Sequence, residues 1–376
     1  MLKLLAVFAA ALVLAHISEQ NTKAILAAGH RYSVWDDWAY ILLVTILVLF
    51  AGLRTQYNDT WNYIVGFQNA PNLSGWFSDP DNFNPFKNPL FTFYQSFLKT
   101  YTNNAQILIF TLALFGQVCQ LHFIQKYSDH FTLSIFIYFT LGTFVFSLAA
   151  IKQITATAIA TLAFPYLEKK QFGRYYLLIL IAMLVHTYAV AFAAIPLFRA
   201  RPWSLFTFLF IAIVAVVMMN FEETITSFME QANDLGKTLA DYEVFGDATI
   251  NFFRLAVYAV PPLISLFFYK WVFHGASKMD NTLVHMSIIS LAFMMMGTQA
   301  GANMFGRMGN YFELGTICYL PTMLKKTFDE HSCRLVTTVA CFCFLFFFVY
   351  ANALHGNFDM EYRSISIIRF ISSLLG

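Results

Sequence analysis

The sequence predicts an all-α fold, a polytopic transmembrane helical bundle of about ten or eleven helices forming a single membrane domain over residues 1–376. Three observations carry this expectation. Hydrophobic residues make up 59% of the chain and charged residues only 12%, about half the charged fraction of a soluble domain. Mean hydropathy is +0.60, so the chain cannot cover itself with surface that suits water. The apolar stretches run on for roughly 16 to 24 residues instead of alternating with period two. In hydrocarbon that means helices, since only helices and closed barrels satisfy their own backbone there.

Taken in order, spans are expected at 2–16, 37–53, 104–124, 131–148, 149–167, 175–198, 203–220, 252–273, 282–300, 309–324 and 335–354. The first has the small residues of a signal h-region, but in a chain this hydrophobic it reads as the first helix. Two connections are long. Residues 54–103, rich in Asn, Asp, Pro and aromatics, form an expected outward loop carrying short amphipathic helices, and the acidic segment 221–251 forms a second outward loop. No internal repeat or soluble domain is visible. A net charge of +2 gives no argument for nucleic acid. The cysteines at 119, 318, 333, 341 and 343 lie in or beside apolar spans, and Cys341 and Cys343 have no His or carboxylate near them in sequence to complete a metal site. They read as buried thiols.

Lys169, Lys170 and Arg174, then Arg199 and Arg201, then Lys270 and Lys278, then Lys325, Lys326 and Arg334 mark the cytoplasmic face. The first two clusters flank one apolar segment, which a simple crossing would put on opposite faces. Either that segment turns back near His186 as a re-entrant piece, tolerated only where it lines a cavity, or one cluster breaks the rule. With this parity the 54–103 loop faces outward.

Several polar residues stand out against this background. If Asp59 starts a short helix, Asp59 and Tyr63 share one face a turn apart; the alternative is Asp59 as an N-cap with Trp61 and Tyr63 as interfacial aromatics. Residues 91–101 form an amphipathic stretch fit to lie along the membrane surface and wall a site, or to pack as a loop helix. Lys152 opens a span, where a cation faces a partner or a watery cavity, or snorkels to the interface. His186 sits mid-span with no charge beside it, as a ligand or as a hydrogen-bonded core residue. Asn303, Arg307 and Asn310 or Tyr311 fall on one helical face at steps of three and four. Arg307 cannot shed its proton, so it needs an anion or water: Glu313 is the structural candidate and an external anionic ligand the functional one.

Together these residues resemble the EpsG or Wzy-like polysaccharide polymerases of bacterial envelopes. The resemblance runs through Gly52-Leu53-Arg54 with Asp59-Thr60 and Tyr63, through Asn88-Pro89-Leu90-Phe91, and through Lys152-Gln153 before the small residues Ala156 and Ala160. His186 follows, then Arg307 with Tyr311-Phe312 and Pro321. The order and spacing extend over most of the chain. Two features depart from the family pattern: Lys152 stands where Arg is usual, keeping the charge but losing the bidentate fork, and an acidic residue is missing near Lys87 or Asn88.

The resemblance implies a glycosyltransferase of the bacterial inner membrane that joins lipid-linked oligosaccharide repeats at its outer, periplasmic face. The growing glycan leaves undecaprenyl diphosphate for a hydroxyl of the next lipid-linked unit. Catalysis then falls to Asp59, His186 and Arg307, with Asp59 or His186 as general base. Arg54, Tyr63, Lys152, Gln153, Asn303 and Tyr311 bind diphosphate or sugar. Cationic side chains neutralise the diphosphate, so no cofactor or metal is expected. A flippase and a chain-length regulator are the implied partners. The rival reading is a transporter or flippase of lipid-linked saccharides, in which the same cations hold a diphosphate that is moved and not cleaved.

Overall fold

The computed structural model describes residues 1–220, 250–299, 303–355 and 358–375, and most of these are helical. The acidic loop expected at 221–251 lies, except for its last two residues, outside the described residues. Among the described residues, Leu2–Ala27, Ala105–Tyr127, Lys278–Met296 and Glu330–Leu354 are long and apolar enough to cross a membrane alone. Phe131–Thr140 and Thr143–Ala149 add a span bent by 52°. Trp38–Gly52, Phe172–Val185, Thr187–Arg199, Leu205–Met219 and Phe252–Phe267 are apolar but shorter. The expected all-α polytopic bundle is what forms, with its boundaries shifted where polar residues find buried partners.

The first helix shows how. It runs on to Ala27, past the expected end at residue 16, because its polar second half faces neighbours rather than water. Ser18 Oγ and Asn21 Nδ2 donate to the Asp37 carboxylate at 2.6 and 2.9 Å. Thr132 donates its N–H and hydroxyl to Glu19 at 2.9 and 2.7 Å. Asp37 in turn caps the next span, accepting from Ala39 N–H at 3.1 Å.

Two spans expected to be continuous are broken. The 131–148 segment bends at Gly142, whose φ of +94° is a conformation a β-carbon disfavours. The 175–198 segment is α-helical only to Val185; His186 is extended at φ −149°, and Thr187–Arg199 continues as a 3₁₀ helix. Tyr175 Oη donates to the Phe192 carbonyl at 2.6 Å. In an unbroken α-helix those residues would lie about 25 Å apart, so the chain reverses at His186. The hairpin brings both basic clusters, at 169–174 and 199–201, to the same end, as the re-entrant alternative required.

Near the far end of the chain, Asn303–Gly309 gives way to a 3₁₀ turn at Asn310–Phe312 and then to Glu313–Thr327. This last helix lies so close to Lys278–Met296 that a β-carbon at Gly315 would meet Met286 Cβ at 2.5 Å and overlap the Leu283 carbonyl oxygen. Gly315→Ala is expected to cost about 1–3 kcal/mol through overpacking. It should lower the thermal midpoint in detergent, read by size-exclusion of heated samples; an unchanged midpoint would show that the two helices separate freely.

The 54–103 loop is ordered by residues 362–365 and by the hairpin turn at Thr187. Arg54–Gln56 pairs antiparallel with Arg363–Ser364, and Ile365 N–H donates to the Leu53 carbonyl at 3.0 Å. Tyr362 stacks on Phe50 with ring centroids 4.6 Å apart. Helices Thr60–Asn69, Leu73–Ser78 and Pro89–Tyr101 follow, the last being the expected amphipathic element. Asn88, at φ 55°, accepts from the N–H and hydroxyl of Thr187 through its Oδ1, both at 3.1 Å, which pins the loop to the hairpin turn beside His186.

Candidate active site

Asp59 precedes the first turn of Thr60–Asn69, yet its carboxylate caps nothing. It faces Arg307 instead: Oδ2 lies 3.7 Å from Nη1, and the two side chains are 31% and 37% exposed. At that distance and exposure the pair contributes less than about 1 kcal/mol to stability and leaves both groups accessible to a ligand. The expected alternative, in which Glu313 neutralises Arg307, is overturned. Glu313 is buried and accepts from Thr143 Oγ1 at 2.6 Å and from the Tyr258 hydroxyl. Glu313 lies six residues after Arg307, and the 3₁₀ turn at Asn310–Phe312 between them sends the two side chains to different neighbours.

Arg307 is held through its backbone, because Gln153 Nε2 donates to its carbonyl at 2.6 Å. That bond ties the 303–309 helix to Ile151–Thr161, whose next residue back is Lys152. Lys152 lies with Nζ 5.6 Å from the centroid of the Phe91 ring, and its backbone N–H approaches the Tyr63 hydroxyl at 3.5 Å. Burial pushes the Tyr63 phenol up to about 12, with Asp59 adding to the rise while the Lys152 N–H, Arg307 and Arg54 oppose it. Tyr63 therefore stays protonated in neutral solution and can serve as a donor, not as a base. Asp59, Arg307 and Arg54 are thus all close enough to act electrostatically on this one phenol.

Four residues past Arg307, Tyr311 reaches the hairpin, its hydroxyl 2.5 Å from His186 Nδ1 and its ring edge-on to Phe192 at 5.8 Å. With Nδ1 committed to Tyr311, proton transfer by His186 would run through Nε2. The side chain of Asn303 lies outside the described residues.

Arg54 occupies a different position from the one expected of a diphosphate ligand. Its side chain is 1% exposed, donates from Nε to Thr60 Oγ1 at 3.2 Å, and donates from Nη1 to the Ala51 carbonyl. It lies behind Asp59, against the residue that follows it. Gln106 Nε2 completes this support by donating to the Gly52 and Arg54 carbonyls at 2.6 and 2.9 Å.

Sequence reasoning passed over a second network beneath the 303–313 segment. Arg254 Nη2 donates to Asn310 Oδ1 at 3.1 Å, and the guanidinium lies 5.6 Å over the Tyr258 ring, whose hydroxyl donates to Glu313. A charge three residues into an apolar span was the available signal, the same one that drew attention to Lys152.

The family model that matches the chain covers residues 37–364. The chain belongs to the EpsG family. EpsG proteins are Wzy-like polysaccharide polymerases, which makes this an integral membrane protein of polysaccharide biosynthesis. Every candidate residue from Arg54 to Tyr311 falls within the EpsG match. Comparison with curated proteins and with solved structures gives no match.

Proposed function

We propose that this EpsG-family protein is a metal-independent glycosyltransferase that polymerises lipid-linked oligosaccharide repeats at the outer face of the bacterial inner membrane. The observation that carries the reading is the accessible Asp59–Arg307 pair, with Tyr63 close enough to feel both charges, Lys152 beside Tyr63, and the Tyr311–His186 contact four residues along the chain from Arg307.

In this reading the diphosphate of an undecaprenyl-linked donor takes Asp59's place on Arg307. A doubly or triply charged ligand outcompetes a single carboxylate held at 3.7 Å. Lys152 adds a second charge. The freed Asp59 carboxylate then accepts the proton of the acceptor hydroxyl as its oxygen attacks the anomeric carbon. The bond from that carbon to the diphosphate oxygen breaks, and Arg307 and Lys152 stabilise the charge left on undecaprenyl diphosphate. Arg54 acts as a positioning residue through Thr60. Tyr63 donates to a sugar or phosphate oxygen, and the His186–Tyr311 pair orients the acceptor. A flippase supplies the lipid-linked unit and a chain-length regulator governs product size.

The test is incubation of purified protein in nanodiscs with a lipid-diphosphate-linked repeat unit from its own host, products resolved by size. A ladder supports polymerisation; lipid-linked saccharide carried across a vesicle intact, with no ladder, would replace it with a transporter. Tyr311→Phe is expected to lower the rate about tenfold by releasing the His186 ring from its geometry. A loss as deep as that of Asp59→Asn would instead make His186 the base.

A further inference from the structure

Under the loop helix Pro89–Tyr101 lies a cavity of about 320 Å³ walled by Phe91, Leu112, Phe115, Thr155 and Val185 among others. The hydroxyls on its walls are already committed: Tyr94 donates to Thr111 at 2.8 Å, Thr111 to the Ile107 carbonyl at 2.8 Å, and Thr155 to the Ile151 carbonyl at 2.8 Å. The cavity therefore presents hydrocarbon and no spare donor. Such a space suits a hydrocarbon ligand and rejects a sugar, whose hydroxyls would be left unpaired.

Its walls are shared with the candidate site. The Phe91 ring faces Lys152 Nζ at 5.6 Å and the Tyr63 ring at 6.0 Å. Thr155 follows Lys152 by three residues, about 4.5 Å along the helix axis. Val185 immediately precedes His186. The Lys152 ammonium and the apolar pocket thus share the Phe91 ring as a common wall, which matches the layout of a lipid diphosphate: charge at one end and hydrocarbon from the first carbon onward. At about 30 Å³ per water-sized atom, the volume corresponds to roughly ten carbons, or two five-carbon units.

We propose that this cavity receives the first two isoprenoid units of the polyprenyl carrier and so sets the register of the diphosphate on Lys152 and Arg307; the inference rests on the lipid-linked donor proposed above. A chain leaving the bilayer for this pocket gains little hydrophobic energy, because lipid tails are as apolar as the walls. What the pocket supplies is position. Its loss should appear as misplacement of the reacting atoms, a fall in kcat/KM of about tenfold or more.

The experiment photolyses the wild-type protein in nanodiscs with a polyprenyl diphosphate bearing a diazirine on its second isoprene unit, and maps the label by peptide mass spectrometry. Labelling of Phe91, Leu112, Phe115 or Thr155 is expected, displaced by unlabelled polyprenyl diphosphate and retained under an equal excess of phospholipid. Label placed elsewhere, or displaced equally by phospholipid, overturns the proposal. Leu112→Trp, with Thr155→Leu as a second way to fill the space, should abolish the labelling and lower kcat/KM about tenfold for the long-chain donor. Both should leave unchanged the weaker reaction of a donor whose polyprenyl chain is replaced by a methyl group, which does not reach the cavity. Equal kcat/KM for the long donor in wild type and both variants also overturns it. Labelling needs no turnover, so the two readings fail separately: pocket labelling without any ladder removes the polymerase and keeps the cavity, whereas a ladder without pocket labelling does the reverse.

Discussion

Arg307→Ala is expected to abolish the product ladder, with kcat/KM falling about 10³-fold, while the protein stays folded. The stability half of this expectation follows from geometry. The pair with Asp59 is 3.7 Å long and about a third exposed on each side, so removing it costs less than about 1 kcal/mol. The backbone anchor from Gln153 uses the Arg307 carbonyl, which alanine retains. The activity half follows from chemistry: the diphosphate, already anionic when bound, gains a further negative charge as the glycosidic bond breaks, so a cation placed there binds the donor and stabilises the transition state more strongly still. Arg307→Lys keeps the charge and loses the planar fork, and should fall between wild type and alanine. Size-resolved products from matched amounts of monodisperse protein measure it. Activity within tenfold of wild type in Arg307→Ala would move the diphosphate away from this residue.

Asp59→Asn should lower the polymerisation rate by about 10² to 10⁴, the usual contribution of a general base. The substitution is isosteric, and Asp59 makes no cap that asparagine would disturb. Donor binding should be preserved or modestly improved, since Arg307 loses a competing carboxylate. The separation of the two effects is the diagnostic: a binding isotherm for lipid diphosphate preserved or modestly tightened by Asp59→Asn and clearly weakened by Arg307→Ala. If Asp59→Asn turns over normally and His186→Ala does not, the proton goes to the imidazole.

Much of the architecture was legible because apolar runs of spanning length leave few alternatives to helices. The reversal at His186 was legible as a conflict: two basic clusters flanking one segment cannot both obey the charge rule unless the segment turns back, and the Tyr175–Phe192 hydrogen bond shows that it does. The break at Gly142 was not legible, since a lone glycine in an apolar run is more often tolerated than used. At the site, residue types that are costly inside a membrane identified Lys152, His186 and Arg307 individually. Their pairing was beyond the sequence. Glu313 is six residues from Arg307 and Asp59 is far from it along the chain, yet a short 3₁₀ turn sends Glu313 to Tyr258 and Thr143 and leaves Arg307 to Asp59. Arg54 read as a diphosphate ligand because no local pattern connects it to Tyr362 and the 363–364 strand, which lie against it in the fold.

That last dependence has a temporal meaning. The strand that covers Arg54 is made about 310 residues after it, which at bacterial translation speeds of about 5–20 residues per second is a delay of roughly 15–60 s. During that interval the segment leading to Asp59 lacks its pairing strand, and Arg54 has only its local partners Ala51 and Thr60. The two-stranded ribbon leading to Asp59 is therefore a late contact, one that forms long after its first strand has been made.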